Sequence, residues 1–509
     1  MWPDAKTVDY NGGTYAVFPH HPYSQLQLRA ADLKVPAPIL YYYGWDAADG
    51  GQPFEVQKRT AALATSHQRA FILNDMGTGK TRAALWSWYY LHQAGVAKKL
   101  LVVAPLSTLK FVWLREISNL MPHIKAAVLH GSKAKRLKEL NSDCQIFIIN
   151  HDGLKTILKD VHDRHDIDTL ILDELAVYRN NSQRSKTMCA FAQRFTWVWG
   201  LTGRPMPNSP LDVWWQCKIL CPQNVPKLYS WAKTKLLQQV DLYKWVPREG
   251  AIETAFSWMQ PAVRYSLDDV VELPEAISRV LDVELSEDQA TVYRTVANEY
   301  IAWVRDQRIT VANAAVALGK LLQIGCGYVY TDPESKRYVA LDPDPQQDLL
   351  PRQDLLLQLL AEAPHKTIVF CPWRHLISEL SALLTNKKID HAVVHGEISL
   401  KQRGAIFHAF QNTDQYDVLL AHPKCIHHGV TLTAATTIIW YSPVTSLEQY
   451  EQANARIRRV GQKHKQLFLH IQSTPVEKKV YAMLRNKQRM QNAFLDMIKN
   501  LTATNGAAP

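Results

Sequence analysis

The sequence predicts an α/β fold made of two parallel-sheet domains in tandem. Short apolar runs alternate with longer amphipathic stretches, first over about residues 66–203 and again in the second half of the chain. Such runs between helical segments are typical of strands buried on both faces of a parallel sheet. A chain of 509 residues is also too long for a single hydrophobic core.

The apolar runs give the predicted strands directly. In the first half the strands are Ala70–Asn74, Leu100–Ala104, Ala126–His130, Gln145–Asn150, Thr169–Asp173 and Thr196–Leu201. In the second half they are Thr367–Cys371, His391–His395, Asp417–Ala421, Thr437–Tyr441 and Leu467–Ile471. The return of the same pattern in the second half is the basis of the two-domain prediction.

Three further segments lack this alternation. The N-terminal one is rich in Gly, Pro and Tyr and is predicted to form a small separate element with β character. The middle one has several prolines and many tryptophans, and its helical stretch Tyr229–Gln239 predicts a linker with a helical insertion. The last one has apolar residues at helical spacing, which predicts a helix over Val476–Leu501 followed by a tail. The predicted segments are therefore 1–50, 51–204, 205–275, 276–475 and 476–509.

The charge balance favours a polyanionic partner, because a net charge of +11 is most simply explained by binding to nucleic acid. The seven cysteines are scattered, which suits a reducing compartment. Cys217 and Cys221 fit one helix face, but without a second Cys or His pair at finger-like spacing they do not predict a metal site. The N-terminus has no secretion signal, and no uncharged apolar run approaches the ~18–20 residues that span a bilayer. We therefore expect a cytoplasmic monomer without a membrane partner.

A glycine loop in the first domain has the sequence of a nucleotide phosphate site. Residues 74–81 read Asn-Asp-Met-Gly-Thr-Gly-Lys-Thr, between a predicted strand and the predicted helix Thr81–Gln93, with Asn74 where the general pattern has glycine. In this context inward-facing N–H groups and a helix N-terminus hold an anion. Lys80 would neutralise the β- and γ-phosphate oxygens, and the Thr81 hydroxyl would bind Mg²⁺. The predicted ATP contacts in the loop are Met76, Gly77, Thr78, Gly79, Lys80 and Thr81.

The strand Thr169–Asp173 ends in a second catalytic candidate, the dipeptide Asp173-Glu174. An Asp at the C-terminal end of a strand can hold Mg²⁺ through water, and the adjacent Glu can orient and deprotonate the attacking water. By itself, a strand-end Asp-Glu is usually a solvated cap. Downstream of a Gly-Lys-Thr loop it predicts the second half of an ATPase site, with Thr81 and Asp173 as the metal-binding residues.

An arginine-rich segment of the second half, residues 452–462, is the third catalytic candidate. It reads Gln-Ala-Asn-Ala-Arg-Ile-Arg-Arg-Val-Gly-Gln and overlaps the predicted helix Ser446–Arg459. Arg456 and Arg459 are three residues apart and would share one helix face. Presented to a γ-phosphate held by the other domain, both would act as arginine fingers, which accelerate phosphoryl transfer by several orders of magnitude. For Arg458, a salt bridge and a DNA phosphate stay open as equal alternatives.

Taken together, these motifs resemble those of superfamily 2 helicases, and within them the Swi/Snf-related DNA-dependent ATPases. The family's Asp-Glu-Met-Gly-Leu-Gly-Lys-Thr loop is similar to residues 74–81, and its Gln-Ala-x-x-Arg-x-His-Arg-Ile-Gly-Gln string is similar to residues 452–462. Its Leu-Thr-Gly-Thr-Pro-x-x-Asn string is similar to residues 201–208. The resemblance covers about residues 50–475. It implies two tandem RecA-like domains, ATP and Mg²⁺ as cofactors, and DNA as the partner.

Further site residues are implied by the resemblance alone. Gln57 resembles the family's glutamine that reads adenine, and Gly429 lies in a segment that loosely matches its glycine-rich segment. Thr202, Gly203 and Gln452 would couple the nucleotide state to domain closure. Such a family member contacts the nucleic-acid backbone without reading its sequence. The residues expected to make these contacts are Ser107, Thr108, Asn150, His151, Trp373, Arg374, Gly396 and Thr431.

The chain departs from the family pattern at several positions. Ala176 stands where the acidic box usually ends in His, so we expect the coupling between hydrolysis and DNA to differ. Arg204 replaces a Thr, and Arg458 replaces a His. The accessory regions are small for this family, which favours a bacterial cell or a virus-infected host cell over the nucleus.

The resemblance implies an ATPase that moves along double-stranded DNA, and two alternatives stay open. A strand-separating or branch-migrating helicase would need an aromatic wedge that stacks on bases. The candidates for a wedge, which are more often core residues, are Tyr41, Tyr42, Tyr43, Trp45, Trp231, Trp245 and Trp258. A DNA-bound scaffold that uses ATP as a switch would instead expose linker tryptophans as a patch for a partner.

Overall fold

The computed structural model describes residues 5–241, 244–270, 274–305, 311–332, 337–426, 430–459 and 461–486. They belong to two compact units, residues 1–272 and residues 273–509. Each unit is built around one parallel sheet, so the predicted tandem α/β architecture is confirmed. Among the helices of the described residues, none is both long enough and apolar enough to cross a membrane.

The first unit contains a seven-stranded parallel sheet and two antiparallel hairpins. Its strands are β1 (Lys6–Tyr10), β2 (Gly13–Val17), β3 (Arg69–Ile72), β4 (Lys99–Ala104), β5 (Ala126–Val128), β6 (Ile146–Asn150), β7 (Ile167–Asp173), β8 (Trp197–Leu201), β9 (Leu237–Asp241), β10 (Lys244–Pro247) and β11 (Ala262–Val263). The sheet order is β11-β3-β8-β7-β4-β6-β5, and the hairpins are β1–β2 and β9–β10. Because β8 lies between β3 and β7, the segments that follow these two strands leave the same edge of the sheet two strand positions apart.

Alternate residues of the central strands belong to two different cores, one on each face of the sheet. Leu101 and Val103 pack in one core, whereas Leu100 and Val102 pack in the other. This two-sided burial explains the continuous apolar runs in the sequence. The α-helices of the unit are Pro22–Ala30, Ile39–Tyr42, Glu55–Ser66, Lys80–Gln93, Arg115–Leu120, Lys133–Leu140, His151–Leu154, Leu158–His162, Gln183–Ala192, Val213–Leu220, Tyr229–Leu236 and Ala251–Trp258. A π-helix spans Leu109–Leu114, and short 3₁₀ turns span Lys155–Ile157, Leu175–Tyr178, Pro210–Asp212 and Pro222–Asn224.

The second unit contains a six-stranded parallel sheet and one hairpin. Its strands are β12 (Ala276–Asp282), β13 (Tyr328–Asp332), β14 (Arg337–Ala340), β15 (Lys366–Phe370), β16 (His391–Val394), β17 (Val418–Ala421), β18 (Ala435–Trp440) and β19 (Gln466–Gln472). The sheet order is β12-β19-β18-β15-β17-β16, and β13 pairs with β14. The helices are Glu287–Arg305, Val311–Gly325, Pro351–Glu362, Arg374–Asn386, Leu400–Asn412, Pro423–Ile426, Leu447–Asn454 and Pro475–Arg485.

All the predicted strands are present, and their ends agree with the prediction to within two residues. The sequence analysis did not predict the edge strands β11 and β12. β11 has only two residues, and most residues of β12 are exposed or half-buried, so neither has an apolar run to detect. The predicted β character of the N-terminal segment is confirmed by the hairpin β1–β2.

Two predicted helices end earlier than expected. The helix predicted over Tyr229–Gln239 ends at Leu236, because the following residues form β9 and pair with β10. The helix predicted over Ser446–Arg459 ends at Asn454, and the arginines after it lie on turns. The helix predicted from Val476 begins at Pro475 and is described as far as Arg485, while its predicted continuation to residue 501 lies outside the described residues.

The segment predicted as a linker packs within the first unit. Its strand β11 pairs with β3, and Trp258 and Met259 are buried in one of the two cores of this unit. Cys217 and Cys221 are buried free thiols in the same core, and burial raises the pKa of Cys221 to about 11. The segment is therefore structurally part of the first unit, whereas the predicted domain boundaries stay predictions.

Candidate functional site

The glycine loop follows β3 and ends where the helix Lys80–Gln93 begins. Gly77 and Gly79 have φ values of +88° and +77°, a conformation that side chains other than glycine rarely adopt. The loop therefore turns tightly enough to place the helix N-terminus directly behind it. Main-chain N–H groups at such an N-terminus are not used within the helix and favour an anion. The predicted phosphate site thus has the local backbone that it requires.

Lys80 is the first residue of this helix, and its side chain folds back over the loop. Its Nζ donates to the main-chain oxygens of Asn74 at 2.6 Å and Asp75 at 2.8 Å. Thr78 also binds the Asp75 oxygen, through its hydroxyl at 2.8 Å. Thr81 follows Lys80 in the first helical turn and is half-buried. The loop therefore holds a lysine ammonium over its own main chain, where a phosphate of ATP is predicted to bind.

Gln57 closes the loop from the preceding helix, Glu55–Ser66. It is only 3% exposed, and its Nε2 donates to the Gly79 main-chain oxygen at 3.3 Å, while its Oε1 accepts from the Phe54 N–H at 2.8 Å. A Cβ added at Gly79 would clash with the Gln57 amide. The residue predicted to read adenine therefore contacts the loop directly.

Asn74 stands where the general loop pattern has glycine, and the structure gives the reason for its side chain. Its Nδ2 donates to the Thr60 hydroxyl at 2.8 Å, and its Oδ1 accepts from the Tyr265 N–H at 3.0 Å. The main chain adds a bond from the Asp75 N–H to the Tyr265 oxygen at 2.9 Å. Asn74 thus joins the loop to the helix before it and to the chain that follows β11.

The acidic pair lies at the end of β7. The Asp173 carboxylate accepts from Trp113 Nε1 at 2.9 Å and from the Glu174 N–H at 3.1 Å. Burial raises the pKa of Asp173, and the Trp113 hydrogen bond and the Lys80 charge oppose this effect. Glu174 has φ +55°, a left-handed conformation that is uncommon outside glycine and recurs at functional sites.

Thr202 and Gly203 connect this acidic pair to the glycine loop. The Thr202 hydroxyl donates to Glu174 Oε1 at 3.3 Å, and the Thr202 N–H donates to the Ile72 oxygen at 3.1 Å. A Cβ added at Gly203 would lie 3.4 Å from the Asn74 oxygen and 3.6 Å from the Met76 nitrogen. The two predicted coupling residues therefore contact both halves of the predicted ATPase site.

In the second unit, Arg456 and Arg459 converge on one carbonyl although they do not lie on one helix face. Each donates through its Nη1 to the Val430 oxygen at 3.3 Å. Arg459 also donates to the Thr431 hydroxyl at 3.0 Å, and Arg456 Nε donates to the Gln452 oxygen at 2.8 Å. The predicted shared helix face is wrong because the helix ends at Asn454. The turns after it bring the two guanidinium groups together instead.

Burial perturbs both of these arginines. It lowers the pKa of Arg459 to about 10. It lowers the pKa of Arg456 well below the usual value, and the Arg459 charge adds to this effect. Arg458, by contrast, is exposed. Gly429, which was predicted to bind nucleotide near these residues, lies outside the described residues.

The predicted nucleic-acid contacts of the first unit follow β4 and β6. Ser107 is half-buried, and the buried Thr108 binds the Pro105 oxygen through its hydroxyl at 2.9 Å. His151 is 8% exposed, and its Nδ1 lies 2.8 Å from the Tyr178 hydroxyl. Burial lowers the pKa of His151 to about 4, with a further contribution from the Arg184 charge. Asn150 is half-buried. These contacts stay predictions, and His151 would have to act on nucleic acid from a buried position.

The predicted contacts of the second unit are more exposed. Arg374 forms an ion pair with Glu397, and Gly396 has open space around its Cα. Trp373 packs edge-to-face on Tyr328, at 6.0 Å between ring centroids. Thr431 is exposed, although its hydroxyl accepts from Arg459. The structure therefore places Thr431 beside the predicted arginine fingers rather than with the other predicted nucleic-acid contacts.

Two residues that the sequence analysis did not single out connect the predicted nucleic-acid segments to the acidic pair. Trp113 lies on the π-helix that begins after Thr108, and it donates to Asp173. Tyr178 lies four residues after Glu174 and binds His151. A π-helix often marks a functional site. Only the fold brings them to the acidic pair.

Comparison with known proteins identifies the family. Residues 56–324 match the SNF2-related domain, and residues 351–461 match the helicase conserved C-terminal domain. Protein p41 of Acyrthosiphon pisum secondary endosymbiont phage 1 is 24% identical, over 85% of this chain and 95% of its own length. The uncharacterized ATP-dependent helicase MG018 of Mycoplasma genitalium is 24% identical, over 84% of this chain and 40% of its own length. The ISWI chromatin-remodeling complex ATPase CHR11 of Arabidopsis thaliana is 24% identical, over 80% of this chain and 39% of its own length.

The chain therefore spans less than half the length of the last two relatives. A solved structure of the Sulfolobus solfataricus SWI2/SNF2 ATPase core in complex with dsDNA covers 90% of this chain and 95% of that chain, with 20% identity and a TM-score of 0.41. The SNF2-related match extends over more than half of this chain. The predicted family and enzyme class are thereby confirmed: the chain belongs to the SNF2-related family of superfamily 2, the helicase-type DNA-dependent ATPases.

Proposed function

We propose that this ATPase is a motor that hydrolyses Mg²⁺-bound ATP and moves along double-stranded DNA. The glycine loop and Asp173-Glu174 would bind and activate the nucleotide. Arg456 and Arg459 would complete the site when the two units close on ATP. The observation that carries this proposal is the hydrogen bond between Thr202 and Glu174 beside the Lys80 loop, because it connects the predicted general base to the predicted phosphate site.

In this proposal the chemistry relies on position and charge. Phosphoryl transfer passes through a transition state with charge spread over the γ-phosphate oxygens, so catalysis requires cations around that group and a water held in line. Lys80 would leave the main-chain oxygens of its loop and bind the β- and γ-phosphates. Glu174, turned by its left-handed backbone, would orient the water and accept its proton. Arg459 would stabilise the charge that develops on the γ-phosphate.

The oxygen donors at the end of β7 fit a Mg²⁺ ion. Mg²⁺ prefers carboxylate, hydroxyl and water oxygens, and Asp173 and Thr81 supply the first two. Burial raises the pKa of Asp173, and a cation beside the carboxylate would stabilise its charged form. When bound, Mg²⁺ would neutralise charge on the phosphate oxygens. Asp173 would then hold water ligands of the ion while Trp113 fixes the carboxylate.

The proposed path of DNA follows from charge and from the loops after the strands. The net charge of +11 favours a polyanion, and the exposed Arg374 and the open main chain at Gly396 suit contacts with phosphates. Such contacts would not select a sequence. Location in the cytoplasm of a bacterial or virus-infected cell, and a monomeric state, stay predictions.

Exposed aromatic rings favour strand separation as a second candidate function. Of the predicted wedge residues, Trp45 and Trp258 are buried and belong to the cores. Tyr41 and Tyr42 are 64% and 66% exposed, and Trp231 is 61% exposed. Only these exposed rings could stack on separated bases, and a helicase that uses them would be stimulated most by forks or junctions.

ATP hydrolysis measured with no nucleic acid, single-stranded DNA, linear duplex and a four-way junction tests the proposal. We expect strong stimulation by plain duplex, and we expect Lys80→Ala to abolish hydrolysis because the phosphate charge loses its partner. Lys138→Ala, which removes an exposed lysine of the helix Lys133–Leu140, is the matched control and should behave as wild type. Stimulation by single strands or junctions alone would replace the translocase by the helicase. No response to any DNA would overturn both.

A further inference from the structure

One tryptophan of the first unit differs from all others whose side chains the structure describes. Trp231 is 61% exposed, whereas these other tryptophans are buried or half-buried. Trp258 lies in the core, and the Trp245 ring is covered by the Lys233 ammonium at 3.8 Å from its centroid. Exposure of the Trp231 indole is therefore a specific property of this position rather than of the tryptophan-rich segment.

The helix that carries Trp231 is firmly anchored, so the ring is presented by a fixed support. Ala232 and Leu236, four residues apart, are both fully buried in the core. Tyr229 packs edge-to-face on Trp214, at 5.4 Å between ring centroids. Trp231 and Thr234 lie on the opposite face of this helix, and Lys235 is exposed with its ammonium 5.9 Å from the centroid of the Trp258 ring. A rigid aromatic on an anchored helix binds a planar partner with little loss of conformational entropy.

The sequence around this indole is rich in positive charge. Lys227 precedes Trp231 by four residues, Lys235 follows it by four residues on the same helix face, and both lysines are exposed. Between residues 218 and 248 the sequence has six Lys and Arg residues and a single acidic one, Asp241, which gives this stretch a net charge of +5. The exposed residues Lys227, Trp231 and Lys235, here called the Trp231 surface, therefore combine an indole with two lysines that are close to it in the sequence.

We propose that the Trp231 surface binds single-stranded nucleic acid, with the indole stacked on an unpaired base and the two lysines on neighbouring phosphates. Every base has a π-face, so this contact would be tolerant of sequence. The inference rests on the proposed function only in taking DNA as the partner of this chain. It adds a contact for unpaired strands outside all the motifs of the ATPase site.

A protein partner is the competing interpretation, because Leu228 and Val240 are also exposed, at 52% and 54%. An apolar docking surface is usually depleted of lysine at its centre. Here the most exposed apolar side chain of the helix has an exposed lysine four residues before it and another four residues after it in the sequence. This charge distribution complements a polyanion, and it therefore favours nucleic acid.

Equilibrium binding of an oligothymidylate, measured by fluorescence anisotropy without ATP, tests the inference. Stacking on an aromatic contributes ~1–3 kcal/mol per base, so we expect Trp231→Ala to raise Kd by roughly 5- to 150-fold and Trp231→Phe to raise it much less. Lys235→Gln should reduce the slope of log K against log salt by about 0.7, the value for one phosphate contact on a single strand. Tyr15→Ala, at an aromatic of the β1–β2 hairpin that is 53% exposed, is the matched control and should leave Kd unchanged.

The outcomes separate this inference from the proposed function. If Trp231→Ala weakens oligothymidylate binding while its duplex-stimulated ATP hydrolysis stays at the wild-type rate, both stand. If Trp231→Ala binds the oligonucleotide as tightly as wild type, the inference is wrong and the exposed patch is left to a protein partner. That result would not affect the duplex-dependent ATPase, which is measured on the unaltered protein.

Discussion

Two arginine sites of the second unit show how buried charge can serve either structure or function. Arg352 is 2% exposed and pairs with the fully buried Glu477 at 2.7 Å. The same guanidinium donates to the Tyr441 main-chain oxygen at 2.6 Å. Arg459 donates instead to the neutral oxygens of Val430 and Thr431. Among the described residues, one cation is therefore paired with a carboxylate, whereas the other binds neutral oxygens beside the Arg456 cation.

This difference in partners distinguishes Arg352, which has a structural role, from Arg459, which we expect to bind a ligand. Removing one partner of a buried ion pair leaves a costly unpaired charge. Arg459 is half-buried beside the Arg456 cation, burial lowers its pKa to about 10, and such perturbation is concentrated at functional sites. We therefore expect a mutation at Arg459 to reduce activity and a mutation in the Arg352–Glu477 pair to reduce stability.

The largest effect is expected at Arg459. Arg459→Ala should reduce DNA-stimulated kcat by about 10³-fold or more, because the γ-phosphate loses an arginine finger. It should change the free energy of unfolding little, because in the described part of the chain no carboxylate forms an ion pair with Arg459. Arg294→Ala, at an exposed arginine of the helix Glu287–Arg305, is the control for activity. Loss of stability together with activity would show that Arg459 is structural and would remove the contrast with Arg352.

The next largest effect is expected at Glu477. Glu477→Gln should lower the free energy of unfolding of the second unit by about 3–5 kcal/mol, because Arg352 is left buried without its counter-charge. Urea unfolding followed by intrinsic fluorescence measures this loss. Glu275→Gln breaks an ion pair with Lys465 whose side chains are 73% and 62% exposed, and it should cost less than about 1 kcal/mol. Equal losses for the two variants would contradict a structural role for the buried pair.

Two buried histidines sharpen the comparison, because they give stability a dependence on pH. His151 in the first unit and His470 in the second each lie beside a tyrosine hydroxyl, at 2.8 Å and 2.7 Å. Burial lowers the pKa of both to about 4. Between about pH 6.5 and pH 4 the unfolded chain therefore binds more protons than the native protein, so stability falls as the pH falls. The expected loss is roughly 3 kcal/mol for each histidine over this window, with no further loss from them below it.

Urea unfolding at pH 7 and at pH 5 measures this dependence. His470→Gln should flatten the pH dependence of the second unit, whereas His408→Gln, at an exposed position, should leave it unchanged. A pH dependence that persists in full in His470→Gln would show that other groups cause it.

The smallest effect is expected at Tyr178 in the first unit. Tyr178→Phe removes the hydroxyl that binds His151 and should destabilise the unit by about 1 kcal/mol. If the His151–Tyr178 bond transmits nucleic-acid binding to the acidic pair in place of the missing acidic-box His, stimulation by duplex should fall several-fold. Hydrolysis without DNA should change little. Tyr90→Phe, at another largely buried tyrosine, is the control. An equal fall with and without DNA would indicate that Tyr178 has only a structural role.

The sequence predicts both sheets and the main parts of the ATPase site, because these depend on local patterns. The apolar runs locate the strands, and the glycine loop locates the start of the helix Lys80–Gln93. The end of the arginine-bearing helix could not be predicted, because it depends on distant contacts such as the bond from the Leu432 N–H to the Arg456 oxygen at 3.1 Å. The hydrogen bond between Asn74 and Tyr265 could not be predicted either, because the two residues are 191 positions apart in the sequence.

That bond between Asn74 and Tyr265 joins the nucleotide loop to the chain segment that leads to the second unit. Three successive residues that follow β3, Leu73, Asn74 and Asp75, are hydrogen-bonded to the chain around Tyr265. The second sheet begins eleven residues later, at Ala276. Lengthening the chain between Tyr265 and Ala276, with the loop itself unchanged, would loosen this connection without altering the residues of the ATPase site.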